Sequence, residues 1–138
     1  MRMKDRRNIF VSYSQKDADE VQSILSRIPQ RGFAFWDASQ IFPGSNWALE
    51  VGKALEEADG MLIFFSPNYF SSQWSQRELE YVISSPRFEG RLISVLLKRT
   101  PRVPWILERF QFIDATEKPA AASKQIAKAL QGAEVSKR

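Results

Sequence analysis

The chain has 138 residues, no cysteine, no histidine and a formal net charge of +4. The missing cysteines exclude disulfides and thiolate metal ligands, and the missing histidines exclude Ser–His catalysis and imidazole metal ligation. No apolar run approaches the ~20 residues that span a bilayer, and no apolar region of a signal peptide follows the basic N-terminus. We therefore expect one soluble, cytoplasmic domain without a membrane segment.

The first third of the chain predicts a strand, a helix and a second strand. Residues 8–13, NIFVSY, predict the first strand. The helix that follows has apolar residues at helical spacing, namely Ala18, Val21, Leu25 and Ile28. Ser14 and Asp17 suit the start of this helix as a capping box with a short acid. Residues 33–36, FAFW, predict the second strand.

The rest of the chain continues the alternation of strands and helices. A polar loop leads into a helix predicted to turn these residues inward: Val51, Ala54, Leu55 and Ala58. The continuous apolar runs MLIFF (61–65) and LISVLL (92–97) are typical of strands buried on both faces. The remaining predicted elements are a helix over 74–85, a short strand near 110–113 and a closing helix over 120–131.

This order of elements predicts a three-layer α/β domain with a parallel sheet flanked by helices. We assign residues 8–131 to that domain, 1–7 to a basic N-terminal tail and 132–138 to a C-terminal tail. Ligands of such sheets bind beyond the carboxyl ends of the strands, at the point where the strand order reverses. The ends in question are Tyr13–Ser14, Trp36–Asp37 and Ser66–Pro67.

The helix predicted over 74–85 has an acidic residue in an uncommon place. At 100° per residue, its apolar stripe consists of Leu79, Val82 and Ile83. Glu80 falls on the opposite, solvated face. Trp74, Glu78 and Tyr81 form a separate stripe along the edge of the apolar one. An acid next to an aromatic residue at this edge has two readings, a surface ion pair or a functional carboxylate.

Three common α/β ligand sites are absent from the sequence. The segment FPGSNW has one glycine, so neither a dinucleotide-binding fingerprint nor a P-loop is present. A response-regulator receiver would need paired acids after the first strand and an aspartate at the end of the third. The sequence instead has SYS and SPN at these places.

Three segments, in order, resemble the Toll/interleukin-receptor (TIR) domain family. They are IFVSYSQKDADEV, FAFWDASQIFPGSNWALEVGKALEEAD and GMLIFFSPNYFSSQWSQRELEYV. The second contains the counterpart of the family's BB loop, here residues 37–46 with their Pro–Gly pair, and the third contains the signature S-x-W-x-x-x-E-L. The resemblance covers about residues 8–83, and the remainder matches in layout. It implies a flavodoxin-like sheet of five parallel strands in the order 2-1-3-4-5.

The resemblance also implies a chemistry, the cleavage of NAD between nicotinamide and ribose. One branch of the family consists of adaptors, and the other cleaves NAD with the glutamate of the W-x-x-x-E helix. That glutamate corresponds to Glu78, with Trp74 as its aromatic partner. Such an enzyme would use NAD as its substrate, with no cofactor and no metal, to form linear or cyclic ADP-ribose. The family implies a role in bacterial immune or virulence signalling.

The residues are consistent with this chemistry. Nicotinamide leaves NAD as a neutral molecule and needs no general acid, and a carboxylate can stabilise the oxocarbenium-like ribose. Glu78 is therefore the predicted catalytic residue, and aromatic faces could stack on the substrate. The predicted substrate-binding residues are Trp74, Trp47, Tyr13, Ser12, Ser14, Trp36, Asp37 and Gly44. For the serines and Asp37, the alternative is turn and cap chemistry. For Trp74 and Trp47, the alternative is packing in the core or against a helix, and for Trp47 packing ranks slightly ahead.

The predicted partners are NAD and further TIR domains. Homotypic assembly would use the apolar tip of the BB loop, Ile41, Phe42, Pro43 and Gly44. An alternative of another class is a non-catalytic interaction module that assembles through the same loop. Nucleic-acid binding ranks well below both, because no basic stripe interleaves with aromatic residues.

Overall fold

The structure is a computed structural model that describes residues 7–28, 32–37, 53, 56–70, 92–100 and 111–136. The strands are β1 (Arg7–Ser12), β2 (Phe33–Trp36), β3 (Gly60–Phe65), β4 (Leu92–Leu96) and β5 (Gln111–Asp114). The helices are α1 (Ala18–Ser26), α2 (Pro67–Phe70) and α3 (Pro119–Ser136), and a 3₁₀ turn (Gln15–Asp17) precedes α1.

The five strands form one parallel sheet in the order β2-β1-β3-β4-β5. Ile9 of β1 lies opposite Phe35, and Val11 lies opposite Leu62 of β3. The predicted fold class and strand order are confirmed. The order reverses between β1 and β3, because the chain adds β2 on one side of β1 and then returns to add β3 on the other. The switch point is therefore at the carboxyl ends of these two central strands.

One face of the sheet packs against α1 and α3. Alternate strand residues supply the sheet side of this core: Ile9, Val11, Leu62, Phe64, Ile93, Val95 and Ile113. The helices supply Val21, Ile24, Leu25, Ala122, Ile126, Ala129 and Leu130. The apolar stripe predicted for the first helix is confirmed, with Ala18 partly buried against the core and Ile28 continuing the stripe beyond α1. Full burial of a valine, leucine, isoleucine or phenylalanine side chain contributes about 1.5–3 kcal/mol through removal from water.

The opposite face of the sheet is buried as well. Phe10, Met61, Ile63 and Phe65 point away from α1 and α3, and all four are fully inaccessible to solvent. Every residue of β3 is buried. This confirms the prediction that the MLIFF run is a strand covered on both faces.

The helices begin and end at residues other than those predicted. The chain enters α1 through a 3₁₀ turn, and the four-residue α2 directly after β3 was not expected. Helix α3 continues through Ser136, into the range 132–138 assigned to a tail. Ala58 is buried as predicted, whereas the helix predicted over 74–85 lies outside the described residues. Within the described ranges, no helix has the length and apolar character needed to cross a membrane.

A glycine turn sets the start of β2. Gly32 has a φ of +88°, a left-handed conformation in which any side chain would be strained. Its carbonyl accepts a hydrogen bond from the backbone N–H of Arg7 over 2.9 Å. The turn therefore brings the first residue of β2 alongside β1, and both strands then run to the same carboxyl edge.

Candidate functional site

Polar residues occupy the carboxyl ends of three adjacent strands, because parallel strands all end at one edge of the sheet. Ser12, Tyr13 and Ser14 follow β1, Asp37 follows β2, and Ser66 follows β3. All five are buried. This edge includes the switch point between β1 and β3, where α/β sheets commonly bind their ligands.

The ends of β1 and β2 are joined by a phenol–carboxylate pair. The Tyr13 hydroxyl donates to Oδ2 of Asp37 over 2.8 Å, and Nε2 of Gln22 on α1 donates to the same hydroxyl over 3.4 Å. Burial, followed by the hydrogen bond to Asp37, raises the pKa of Tyr13 to about 12. The phenol therefore stays protonated, and a donor, at neutral pH. The structure brings together these two predicted site residues and uses each to orient the other.

The ends of β1 and β3 are joined through tyrosine and serine hydroxyls. Ser12 and Tyr69 lie with their hydroxyl oxygens 3.0 Å apart, and both side chains are buried. Tyr69 also packs edge-on against Phe65, with ring centroids 5.5 Å apart. Ser12 therefore fixes α2 against the sheet edge, and its predicted role in substrate binding stays a prediction.

A buried carboxylate that was not among the predicted site residues lies at the switch point. Asp17 is 1% exposed. Its Oδ2 accepts a hydrogen bond from the Ser66 hydroxyl, and its Oδ1 accepts one from Nδ2 of Asn68 over 2.9 Å. Lys98, beyond the end of β4, places Nζ 3.7 Å from Oδ1. Asp17 thus contacts chain segments that follow β3 and β4, while belonging to the turn after β1.

Lys98 forms a second ion pair at the rim of this cluster. Its Nζ lies 2.9 Å from Oε1 of Glu20 on α1. The hydrogen bond with Glu20 raises the pKa of Lys98, and Asp17 contributes to the same shift. The sequence by itself indicates only a basic loop at this position. The structure shows the side chain about half exposed, with its charge directed at two carboxylates.

The predicted capping box is correct for one residue and wrong for the other. The Ser14 hydroxyl accepts a hydrogen bond from the backbone N–H of Lys16 over 3.3 Å, so Ser14 caps the 3₁₀ turn. Asp17 is the N-cap residue of α1 but makes no side-chain capping bond. Its carboxylate is instead turned toward Ser66 and Asn68, because both donors lie within reach across the sheet edge.

Trp36, at the end of β2, packs edge-on against Phe10 of β1 with ring centroids 5.9 Å apart. Its indole N–H is buried and, in the part of the chain that the structure describes, has no hydrogen-bond partner. The ring is therefore held by its neighbour in the sheet. Its predicted stacking on a substrate stays a prediction.

Several predicted site residues lie outside the described residues. They are the catalytic candidate Glu78, the aromatic residues Trp74 and Trp47, and the loop residues Ile41, Phe42, Pro43 and Gly44. Their roles stay predictions. Asp37 is the last described residue before the loop, and Phe70 is the last before the segment with Trp74 and Glu78. Both segments therefore leave the described structure at its carboxyl edge.

The described polar groups form a rigid frame and not a complete catalytic centre. Asp17, Asp37, Ser12 and Ser66 direct their polar atoms toward other protein groups. Among the described residues, no group of three or more acidic side chains could hold a metal ion. Within the described residues, this edge therefore fixes the points from which the chain continues after β2 and after β3.

Sequence reasoning missed Asp17, Asn68 and Lys98 as members of this edge. Aspartate at the start of a helix is the usual pattern of a capping residue, and the sequence does not reveal that its partners lie 49 and 51 positions away. In the sequence, the SPN run (66–68) is notable only because it lacks the aspartate of a response-regulator receiver. The one available signal was its position directly after a buried strand.

Comparison with known proteins relates the chain to one protein family. The profile of the family described as "TIR domain" matches residues 9–130. A protein named probable 2′ cyclic ADP-D-ribose synthase TcpO, from Methanobrevibacter olleyae, is 24% identical over 95 residues, or 67% of this chain and 28% of that protein. The chain thus spans well under a third of this relative's length.

A solved structure has the same fold. It is the TIR domain of the Toll-related receptor TRR-2 from Hydra magnipapillata, with a TM-score of 0.73 and 16% identity. The alignment covers 89% of this chain and 97% of the receptor domain. At this identity the likeness concerns the fold alone.

Proposed function

Because the chain belongs to the TIR domain family, we propose that it cleaves NAD at the bond between nicotinamide and ribose. The observation that carries the proposal is the alignment of 67% of this chain with the relative named probable 2′ cyclic ADP-D-ribose synthase TcpO. That alignment covers 28% of the relative. The products are nicotinamide and either ADP-ribose or a cyclic ADP-ribose.

Glu78 is the proposed catalytic residue. It occupies the glutamate position of the W-x-x-x-E pattern, four residues after Trp74. With no histidine in the chain, a carboxylate is the available ionisable group for a reaction at neutral pH. Nicotinamide leaves with the electrons of the broken C–N bond and becomes neutral, so no proton is needed. The carboxylate stabilises the positive charge that develops on the ribose.

The carboxyl edge of the sheet supports this proposal, because two chain segments with predicted site residues start from it. Asp37 accepts a hydrogen bond from Tyr13 immediately before the segment 38–52, and Asn68 donates one to Asp17 shortly before the segment 71–91. The two segments that hold the predicted stacking and catalytic residues therefore leave from fixed points on one edge. Glu78 lies eight positions after Phe70, so at most about 29 Å of chain joins them.

The fate of the ribose decides between the linear and the cyclic product. Water that attacks the oxocarbenium carbon forms ADP-ribose and releases a proton to solvent. If the adenine or a ribose hydroxyl of the same molecule attacks that carbon and a proton is released to solvent, the product is cyclic instead. Stacking on an aromatic face favours the second outcome, because it holds the folded substrate and excludes water. Trp74 is the proposed face.

The proposal also includes self-assembly of the chain and a biological role. Homotypic contact through Ile41, Phe42, Pro43 and Gly44 would complete the pocket and activate the enzyme, in cytoplasmic immune or virulence signalling. Exposed apolar residues on a loop are typical of contact surfaces. The alternative, a TIR module that assembles without cleaving NAD, shares this surface.

The direct test is incubation of the purified chain with NAD and measurement of free nicotinamide. We expect Glu78→Gln to reduce release by far more than tenfold while circular dichroism remains unchanged. Glu80→Ala is the matched control, because Glu80 falls on the opposite face of the predicted helix. A folded Glu78→Gln protein that keeps more than a tenth of the activity, about 1.4 kcal/mol of barrier, would refute the central role of Glu78. A wild-type chain that releases no nicotinamide even when assembled would favour the non-catalytic module.

A further inference from the structure

Asp17 makes bonds that a capping residue would not make. The side chain stands at the N-cap of α1, where aspartate usually accepts hydrogen bonds from the first backbone N–H groups of the helix. It makes no such bond here. Both of its oxygens instead accept hydrogen bonds from one short segment, Ser66 and Asn68, on the far side of the switch point.

The turn that carries Asp17 is itself well fixed. The backbone N–H of Asp17 donates to the carbonyl of Ser14 over 2.8 Å, and Ser14 caps the turn with its side chain. The 1% exposure of Asp17 keeps water from competing for its oxygens. Hydrogen bonds to a buried, charged acceptor are stronger than those between neutral groups. The carboxylate is therefore a rigid point of attachment.

The segment that Asp17 holds is the entrance to the proposed catalytic segment. Ser66 and Asn68 lie at the end of β3 and in α2, and residues 71–91 follow directly. Tyr69 strengthens the same joint. Its backbone N–H donates to the Ser66 hydroxyl over 3.3 Å, and its phenol oxygen lies 3.0 Å from the hydroxyl oxygen of Ser12. The joint thus fixes where the chain leaves the sheet, and in which direction, ten residues before Glu78.

We propose that Asp17 is a positioning residue for NAD cleavage, which sets the β3–α2 joint and through it the placement of Glu78. The inference rests on the proposed function. Asp17 acts through Ser66 and Asn68 and does not touch the substrate. Displacement of a reacting group by about 1 Å costs on the order of a hundredfold in rate. Loosening this joint therefore lowers kcat much more than it raises KM.

The test compares four variants with the wild type, each normalised to its folded fraction. Asp17→Asn keeps the size of the side chain but leaves one acceptor for two donors. Asn68→Ala removes the hydrogen bond that Asn68 donates to Asp17, at a partly exposed position, and tests the same joint if Asp17→Asn folds poorly. The exchange Asp17→Asn with Asn68→Asp restores a carboxylate–amide pair with donor and acceptor reversed. Glu20→Gln is the control, because it weakens the ion pair of Lys98 without removing a bond to Ser66 or Asn68.

We expect kcat to fall at least tenfold in Asp17→Asn and about fivefold in Asn68→Ala, with KM within threefold of the wild type. The exchanged pair should recover most of kcat, and Glu20→Gln should stay within twofold. Hydrogen exchange should become faster in peptides from 66–91 and stay unchanged in α3.

Two results would overturn the inference. One is an active wild type whose kcat persists in folded Asp17→Asn. The other is exchange that accelerates equally in α3, since that would show a general loss of stability. A wild type that releases no nicotinamide is a different failure. It overturns the proposed function and, with it, the catalytic consequence assigned to Asp17.

Discussion

Replacement of Tyr13 by phenylalanine removes one hydroxyl and leaves the ring in place. That hydroxyl donates to Oδ2 of Asp37 over 2.8 Å, and both residues are buried. A hydrogen bond to a charged acceptor contributes about 1.5–3 kcal/mol. We therefore expect Tyr13→Phe to lower the free energy of unfolding by about 2 kcal/mol at pH 8.

The size of this loss should depend on pH. The pKa of Tyr13 rises from 10.0 to about 12 through burial and then through the hydrogen bond to Asp37, so the folded chain keeps a proton that the unfolded chain releases. Stability from this group is complete below pH 10 and is lost as pH rises from 10 to about 12. Discounted for solvent screening, the loss should be about 1–2 kcal/mol. The phenylalanine variant lacks this titration, so the difference in free energy of unfolding between the wild type and Tyr13→Phe should become smaller from pH 10 to about 12.

Urea unfolding, followed by tryptophan fluorescence at pH 8, 10, 11 and 11.5, measures the gap. Ser26→Ala is the matched control, because it removes an exposed hydroxyl whose bond to the carbonyl of Ser23 does not titrate. Its difference from the wild type should be the same at every pH. A Tyr13→Phe gap that stays constant from pH 8 to 11.5 would refute the assignment of the raised pKa to this pair. A gap below about 0.5 kcal/mol at pH 8 would refute the bond's contribution to stability.

Three further outcomes are expected. Trp74→Ala should lose more cyclic than linear product, with Trp74→Phe affected less; an unchanged product ratio with a lowered melting temperature would instead show that Trp74 only packs. Specific activity should rise with protein concentration as light scattering detects assembly, and a flat dependence would count against activation through Ile41 and Phe42. Ser123→Ala should lower the free energy of unfolding by about 1 kcal/mol in urea titrations, because the hydroxyl of Ser123 joins α3 to the carbonyl of Ile24 over 2.9 Å. The control Lys124→Ala, at an exposed position of the same helix, should change it by less than about 0.5 kcal/mol, and equal losses in the two variants would contradict the assignment.

The sequence by itself determined the fold class. The buried run 61–65 and the helical spacing of Val21, Leu25 and Ile28 are local patterns. Such patterns predict a strand or a helix from the spacing of apolar residues alone, wherever the segment lies in the fold. Strand order came from the family resemblance, which the parallel sheet confirms. The predicted catalytic segment also came from the sequence, because the W-x-x-x-E pattern is local, and its role stays a prediction.

Only the tertiary structure decided which polar groups meet at the sheet edge. Tyr13 and Asp37 are 24 positions apart, and Asp17 and Ser66 are 49 apart. An aspartate at the start of a helix has the same local pattern whether it caps that helix or bonds to another strand. The choice depends on which donors the fold brings within about 3 Å, and that distance is set by the register of β1 beside β3 and not by neighbours in the chain.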